Sequence, residues 1–171
     1  VMDTYKVSSA EEAMAALPFP FVLKAVDGHG GSEVFLVKND VECKELFSNL
    51  KNKRLIAQPL SSEVGVDMRV YMLGGRVLGS VCRRSRSDFR SNFSLGGEAE
   101  LIPLLQRERD IVERISLDLD ADLIGIDFIR HNGSWVLNEI EDVVGTRMLY
   151  SLTDIDAADV YIKYVIDSLN K

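Results

Sequence analysis

Three times along the chain an apolar run turns back on another through glycine: FVLKAVDGHGGSEVFLV at residues 21 to 37, DMRVYMLGGRVLGSVCRR at 67 to 84, and ADLIGIDFIRHNGSWVLNEIE at 121 to 141. Each reads as a β-hairpin. The first is odd in two ways. A hairpin needs only two turn residues, yet six residues with three glycines, Asp27 to Ser32, join its two runs. Lys24 also interrupts Phe21, Val22, Leu23, Ala25 and Val26.

Helical patterns separate the hairpins. Ser9-Ala-Glu-Glu12 has capping-box spacing ahead of a short helix that Pro18 and Pro20 end. From Asp40, DVECKELFSNLKNK spaces Val41, Leu46 and Leu50 along one helical face, and RLIAQPL returns as a strand that stops at Pro59. Residues 85 to 98 read as a long polar loop. IPLLQRERDIVERISLDL then has helix periodicity with Pro103 in its first turn, and IDAADVYIKYVIDSLNK closes the chain as an amphipathic helix.

A chain of 171 residues suffices for one domain or two small lobes about a hinge. Its net charge of -7 argues against nucleic acid or an anionic membrane as the main partner. Cys43 and Cys82 have neither CxxC nor metal spacing and read as reduced thiols of a cytoplasmic protein. No run reaches the length of a membrane span.

The glycine loop is not a Walker A sequence, because EVFLV after it reads as a strand rather than a helix. What remains is a strand, a glycine flap and a strand, an arrangement that can cover phosphates with backbone N–H groups. A buried Lys24 needs an anionic partner, and a phosphate would supply one; a snorkelling lysine on an edge strand is the alternative. Glu139 and Glu141, two apart on a strand, share a face. Asp127 joins them only if the turn is right. A two-residue Asn132-Gly133 loop pairs Asp127 with Asn138, whereas a three-residue loop through Ser134 pairs it with Glu139. Three such carboxylates suit Mg²⁺ or Mn²⁺. Arg83, Arg84, Arg86 and Arg90 crowd one segment, with Asp88 their acidic neighbour. They read as a solvated loop or as a clamp on a phosphoryl or carboxylate group. His29 and His131 read as surface residues.

In this order the pieces resemble the ATP-grasp superfamily, and in detail its RimK-type carboxylate-amine ligases. PFPFVLKAVDGHGG, AQPLSSEVGVDMRVYMLGGRVLGSV, SDFRSNFSLGG and LIGIDFIRHNGSWVLNEIEDVVG carry the resemblance. It implies an α+β fold of two lobes, residues 1–58 and 59–171, whose antiparallel sheets grip ATP. It implies that Lys24 contacts phosphates, that Gly28, His29, Gly30, Gly31 and Ser32 close over them, and that Gln58, Pro59 and Leu60 meet adenine. Asp67 would reach the ribose. Arg90, Ser91 and Asn92 would meet the phosphates, with Arg90 and Arg83 or Arg84 acting in catalysis. Asp127, Glu139 and Glu141 would hold Mg²⁺ or Mn²⁺.

The implied reaction activates a small-molecule or peptide carboxylate with ATP for attack by an amine. A non-catalytic nucleotide-binding module is the alternative, and a homo-oligomer stays open. Two departures stand out. Glu141 replaces the usual Asn and adds a charge, and Val144 replaces a proline beside the acceptor substrate. The resemblance also implies an N-terminal domain and a further ATP-contacting lysine ahead of VMDTYK.

Overall fold

All three hairpins form, and they divide between two antiparallel sheets. The computed structural model describes every residue except 29–30, 86–87, 91–97, 143 and 171. The expectations on His29, Gly30, Ser91 and Asn92 therefore lie outside the described residues. In chain order the elements are β1 (Tyr5–Val7), α1 (Ala10–Ala16), β2 (Phe21–Ala25), β3 (Val34–Val37), α2 (Asp40–Asn49), β4 (Leu55–Pro59), β5 (Val66–Leu73), β6 (Arg76–Arg84) and β7 (Glu98–Leu101). They continue with α3 (Gln106–Leu119), β8 (Leu123–His131), β9 (Ser134–Glu141), α4 (Arg147–Leu152) and α5 (Ala157–Leu169). The first sheet has the order β1-β4-β2-β3 and the second β7-β6-β5-β8-β9. The fold is thus α+β. No helix among the described residues is long and apolar enough to cross a membrane.

In the smaller sheet the period-two rule of strands sorts β2. Phe21, Leu23 and Ala25 point to a core shared with Val37, Leu55, Ala57 and the inner faces of α1 and α2. Phe21 and Leu23 are fully buried, each contributing about 1.5–3 kcal/mol. Lys24, one residue out of phase, faces the other way. Ser9 Oγ accepts from Glu12 N at 3.2 Å to start α1, while the Glu12 carboxylate reaches back to Ser8 N at 2.7 Å. Asn39 Oδ1 caps α2 through Glu42 N at 2.9 Å. Cys43, Leu46, Phe47 and Leu50 carry the core face of α2, and Val41, about half a turn around the helix from Leu50, is left exposed, against expectation.

The larger sheet buries both faces. Met68, Val70 and Met72 of β5 pack with Ile124, Ile126 and Phe128 of β8 against Val112 of α3. On the opposite face Tyr71 and Val81 join Val144, Met148 and Leu149. Asp67, Arg69, Arg83 and Asp127 alternate onto that second face by the same period. Two elements were not expected: β7, which begins at the last residue of the expected loop and pairs with β6, and α4 beyond β9. Residues through Leu101 being extended, Pro103 lies ahead of α3 rather than in its first turn; Glu108 closes that end by accepting from Leu105 N at 3.0 Å. The α5 helix forms as read, but Ile162, Ile166 and Leu169 of its apolar stripe are exposed.

The connection after β4 is pinned to the tip of the third hairpin. Ser62 N donates to His131 Nδ1 at 3.2 Å, Asn132 N donates to Ser62 Oγ at 2.7 Å, and Glu63 pairs with Arg130. His131, read as a surface residue without a task, holds this connection in place.

Val144 packs so closely on β8 that a Cβ at Gly125 would come within 2.5 Å of its Cγ2. Gly125→Ala should therefore cost about 1–3 kcal/mol by overpacking. Urea denaturation should show the lowered midpoint in the parent chain and little further loss in a Val144→Ala background, where the clash is gone.

Candidate functional site

A β-bulge decides which side chains meet. The Asn132-Gly133 turn has two residues, both at positive φ, and His131 pairs with Ser134 across it. From there the ladder runs regularly to Phe128 opposite Leu137. The next pair is Asp127 with Glu139, so Asn138 is the extra residue of a bulge in β9. The three-residue turn is thus wrong, while the pairing it was invoked to explain is present. A bulge moves one strand by one position, which returns Glu139 and Glu141 to the face of Asp127.

Carboxylate oxygens of Asp127, Glu139 and Glu141 lie within 4.8 Å of one another. Oxygen donors in this number fit a hard divalent cation such as Mg²⁺ or Mn²⁺. Asp127 is almost wholly buried. Its Oδ1 accepts from Arg69 Nε at 2.7 Å, and its Oδ2 accepts from Arg69 Nη2 at 2.6 Å and Arg83 Nη2 at 2.8 Å. Burial works to raise the Asp127 carboxyl, but the two guanidiniums prevail and hold it below the usual aspartate value. Glu139 differs. It reaches solvent and makes no hydrogen bond or ion pair among the described residues, and the protein around it, followed by the charge of Asp127, raises its pKa.

Lys24 faces this cluster from the other sheet. Its Nζ donates to Asn138 Oδ1 at 2.7 Å, so the bulge residue is also where the two sheets touch. Burial lowers the Lys24 pKa, and Glu139 opposes that shift. A second link joins Arg90 Nη1 to the Gly31 carbonyl at 2.9 Å. Gly28, Gly31 and Ser32 lie in the connection between β2 and β3, and Gly31 sits at φ 74, a conformation suited to glycine.

Among the described residues, Arg83, Arg84 and Arg90 are each paired with a carboxylate. Arg83 is buried, with Nε and Nη2 on the two oxygens of Asp67, whereas Arg84 is exposed and pairs with Glu100. The strand period turns the Arg83 fork inward onto Asp67 and Asp127 and leaves Arg84 outside. Each oxygen of Asp67 accepts from Arg83. Arg90 is held by Asp88 through Nε at 3.0 Å and Nη2 at 2.7 Å. Gln58 is buried, and its side-chain amide donates to Thr4 Oγ1 at 2.7 Å, while Pro59 and Leu60 are half-buried.

Sequence reasoning assigned no role to Arg69. Besides Asp127 it meets Glu141 Oε1 at 2.8 Å. Its signal was the one that marked Lys24, a lone cation inside an apolar strand run.

Comparison with known proteins follows the same lines. A family model described as RimK-like ATP-grasp domain matches residues 3–165. The probable alpha-L-glutamate ligase 2 of Shewanella frigidimarina is 28% identical over 156 residues, which are 89% of this chain and 52% of that protein. Beta-citrylglutamate synthase B of Danio rerio is 31% identical over 157 residues, 90% of this chain and 39% of its own. The solved structure of the ATP-grasp ligase PsnB complexed with a phosphomimetic variant of minimal precursor, Mg and ADP has a TM-score of 0.75 at 16% identity, covering 98% of this chain and 53% of that one. This last likeness is one of fold. The chain spans about half the length of the glutamate ligases it matches.

A carboxyl whose pKa is raised on folding costs stability once it ionises. The cost is absent below the unfolded value, grows as pH rises through the folded value, and is full above it. In metal-free buffer, Glu139→Gln should thus be more stable than the parent at pH 7, by less than about 1 kcal/mol because the side chain reaches solvent. The difference should close as pH falls to about 4. Urea titrations at the two pH values check this, and a loss of stability at pH 7 would contradict it.

Proposed function

Because the chain belongs to the RimK-like ATP-grasp family, we propose that it is the nucleotide-binding portion of an ATP- and magnesium-dependent carboxylate-amine ligase. The observation that carries this reading is the hydrogen bond of Lys24 from one sheet to Asn138 of the other, beside the cluster of Asp127, Glu139 and Glu141 carboxylates. Residues 1–58 and 59–171 are the two lobes. Lys24 and the connection containing Gly28 to Ser32 take the phosphates, and Gln58, Pro59 and Leu60 take adenine through their backbone. Arg90, fixed by Asp88 and already on Gly31, lies where it can follow the flap onto a phosphate. Asp127, Glu139 and Glu141 hold the divalent ion, which neutralises phosphate charge when bound. Arg83 orients Asp127, and Asp67 orients Arg83.

A carboxylate is a poor electrophile. In the proposed reaction its oxygen attacks the γ-phosphorus of ATP, ADP leaves, and an acyl phosphate results. An amine then attacks the acyl carbon, loses a proton, and displaces phosphate to leave an amide. Such chemistry depends on positioning and charge neutralisation rather than on a protein nucleophile. The glutamate ligase and citrylglutamate synthase relatives point to glutamate-like amino acids as reactants, and the complex of PsnB with a precursor peptide points to peptides. Val144, buried against Gly125 and Leu149, fixes the segment bordering the acceptor side. Cys43 and Cys82 are buried free thiols, which suits a reducing compartment such as the cytoplasm.

Mg-ADP or Mg-ATP should stabilise this chain. At about 100 times the dissociation constant the gain is roughly 2.7 kcal/mol, a melting shift of roughly 5 to 10 °C for a chain of this size. Lys24→Met should weaken nucleotide binding by about ten to a hundredfold with the fold intact, as read by calorimetry. Absence of a shift at millimolar nucleotide would contradict the reading. For the complete protein, ADP release that requires a carboxylate and an amine tests the ligase reaction.

A further inference from the structure

The carboxylate cluster contains a cation of its own. Asp67, Arg83, Asp127, Arg69 and Glu141 form a chain of alternating charge across β6, β5, β8 and β9. Arg69 is its central link. Nε and Nη2 grip Asp127 in a fork, and Nη2 also reaches Glu141 Oε1 at 2.8 Å. Arg69 is buried, so its charge is poorly screened and its alternatives to these two partners are few. Glu139 stands apart. It is exposed and takes part in no ion pair among the described residues.

The four carboxylates Asp67, Asp127, Glu139 and Glu141 thus face two guanidiniums, with Lys24 approaching from the other sheet. Two of the three candidate metal ligands, Asp127 and Glu141, are already paired with the one positive charge of Arg69. Its guanidinium occupies the charge position between Asp127 and Glu141 that a cation would otherwise take. Three lone-pair positions of Asp127 are spent on arginine, of about four that a carboxylate offers. The charge that Glu141 adds relative to an amide side chain is likewise offset.

We propose that Arg69 is a positioning residue and resident counter-cation of the metal site: it fixes Asp127 and Glu141 and offsets their charge, so that Glu139 dominates capture of a divalent ion and tight capture requires nucleotide phosphates as well. This inference rests on the reading of the three carboxylates as a metal site. Its consequence is coupling. Metal alone binds weakly, and metal with nucleotide binds together, which keeps the site from filling before its substrate arrives.

The test is Mn²⁺ binding to the 171-residue chain, followed by the loss of free-ion electron paramagnetic resonance signal, with and without ADP. The parent should bind Mn²⁺ weakly alone and at least about tenfold more tightly with ADP. Arg69→Gln removes the resident charge and should tighten Mn²⁺ binding without ADP by about tenfold or more, while Arg69→Lys keeps the charge but loses the fork on Asp127, and should tighten binding less than Arg69→Gln does. Unchanged or weaker binding in Arg69→Gln overturns the proposal. Should Arg69→Gln not fold, the glutamates decide. Glu141→Gln should weaken binding by no more than about threefold and Glu139→Gln by about tenfold or more, and equal losses overturn the proposal. A parent that binds no Mn²⁺ even with ADP removes the metal-site reading itself, a distinct outcome from a parent that binds normally with variants that disagree.

Discussion

A carboxylate buried as deeply as Asp127 stays ionised only if cations meet both of its oxygens. Arg69 and Arg83 do so, and much of the larger sheet is arranged around that requirement. The period of β5 sends Asp67 and Arg69 to one face and Met68, Val70 and Met72 to the other, so a polar network and an apolar core share one strand. Removing one partner would leave its counterpart buried and unpaired, which costs far more than a surface ion pair contributes. The network therefore fixes the relative registers of β6, β5, β8 and β9 as well as the site that they carry.

The bulge at Asn138 is the second constraint. Without it, the favoured Asn-Gly turn would send Glu139 to the α3 side of the sheet, among Phe128 and Trp135. With it, Glu139 stands opposite Asp127, and Asn138 is turned to the Lys24 ammonium. One inserted residue thus orients the Glu139 carboxylate toward Asp127 and makes a contact between the two sheets. The hydrogen bond from Arg90 to Gly31 ties the β2–β3 connection to the segment after β6.

Much of this was legible in the sequence because hydrophobic period and turn chemistry act locally. The three hairpins, the out-of-phase Lys24 and the shared face of Glu139 and Glu141 follow from such patterns. What escaped was of longer range. Nothing in VLNEIE announces a bulge, since the extra residue is stabilised by Lys24, which lies 114 positions away. β7 is four residues of EAEL, whose strand character comes from pairing with β6 rather than from propensity. Val41 was misplaced in α2 because, nine residues from Leu50, it lies on the opposite side of the helix, whereas Cys43 and Phe47 complete the buried face. Arg69 was missed although its setting in VDMRVYML matches that of Lys24 in FVLKAV, and the same argument about a buried cation would have marked it.

The central claim is that the Asp127, Glu139 and Glu141 face, opposed by Lys24, is where a metal-nucleotide complex sits. Crystals of this chain grown with Mn²⁺ and ADP, measured at the manganese absorption edge, address it directly. The account predicts an anomalous difference peak at bonding distance from Glu139 and between the carboxylates and the ADP phosphates, with Lys24 turned from Asn138 to a phosphate oxygen. A peak elsewhere, or ADP bound with the carboxylates and Lys24 left in their present contacts, would contradict it.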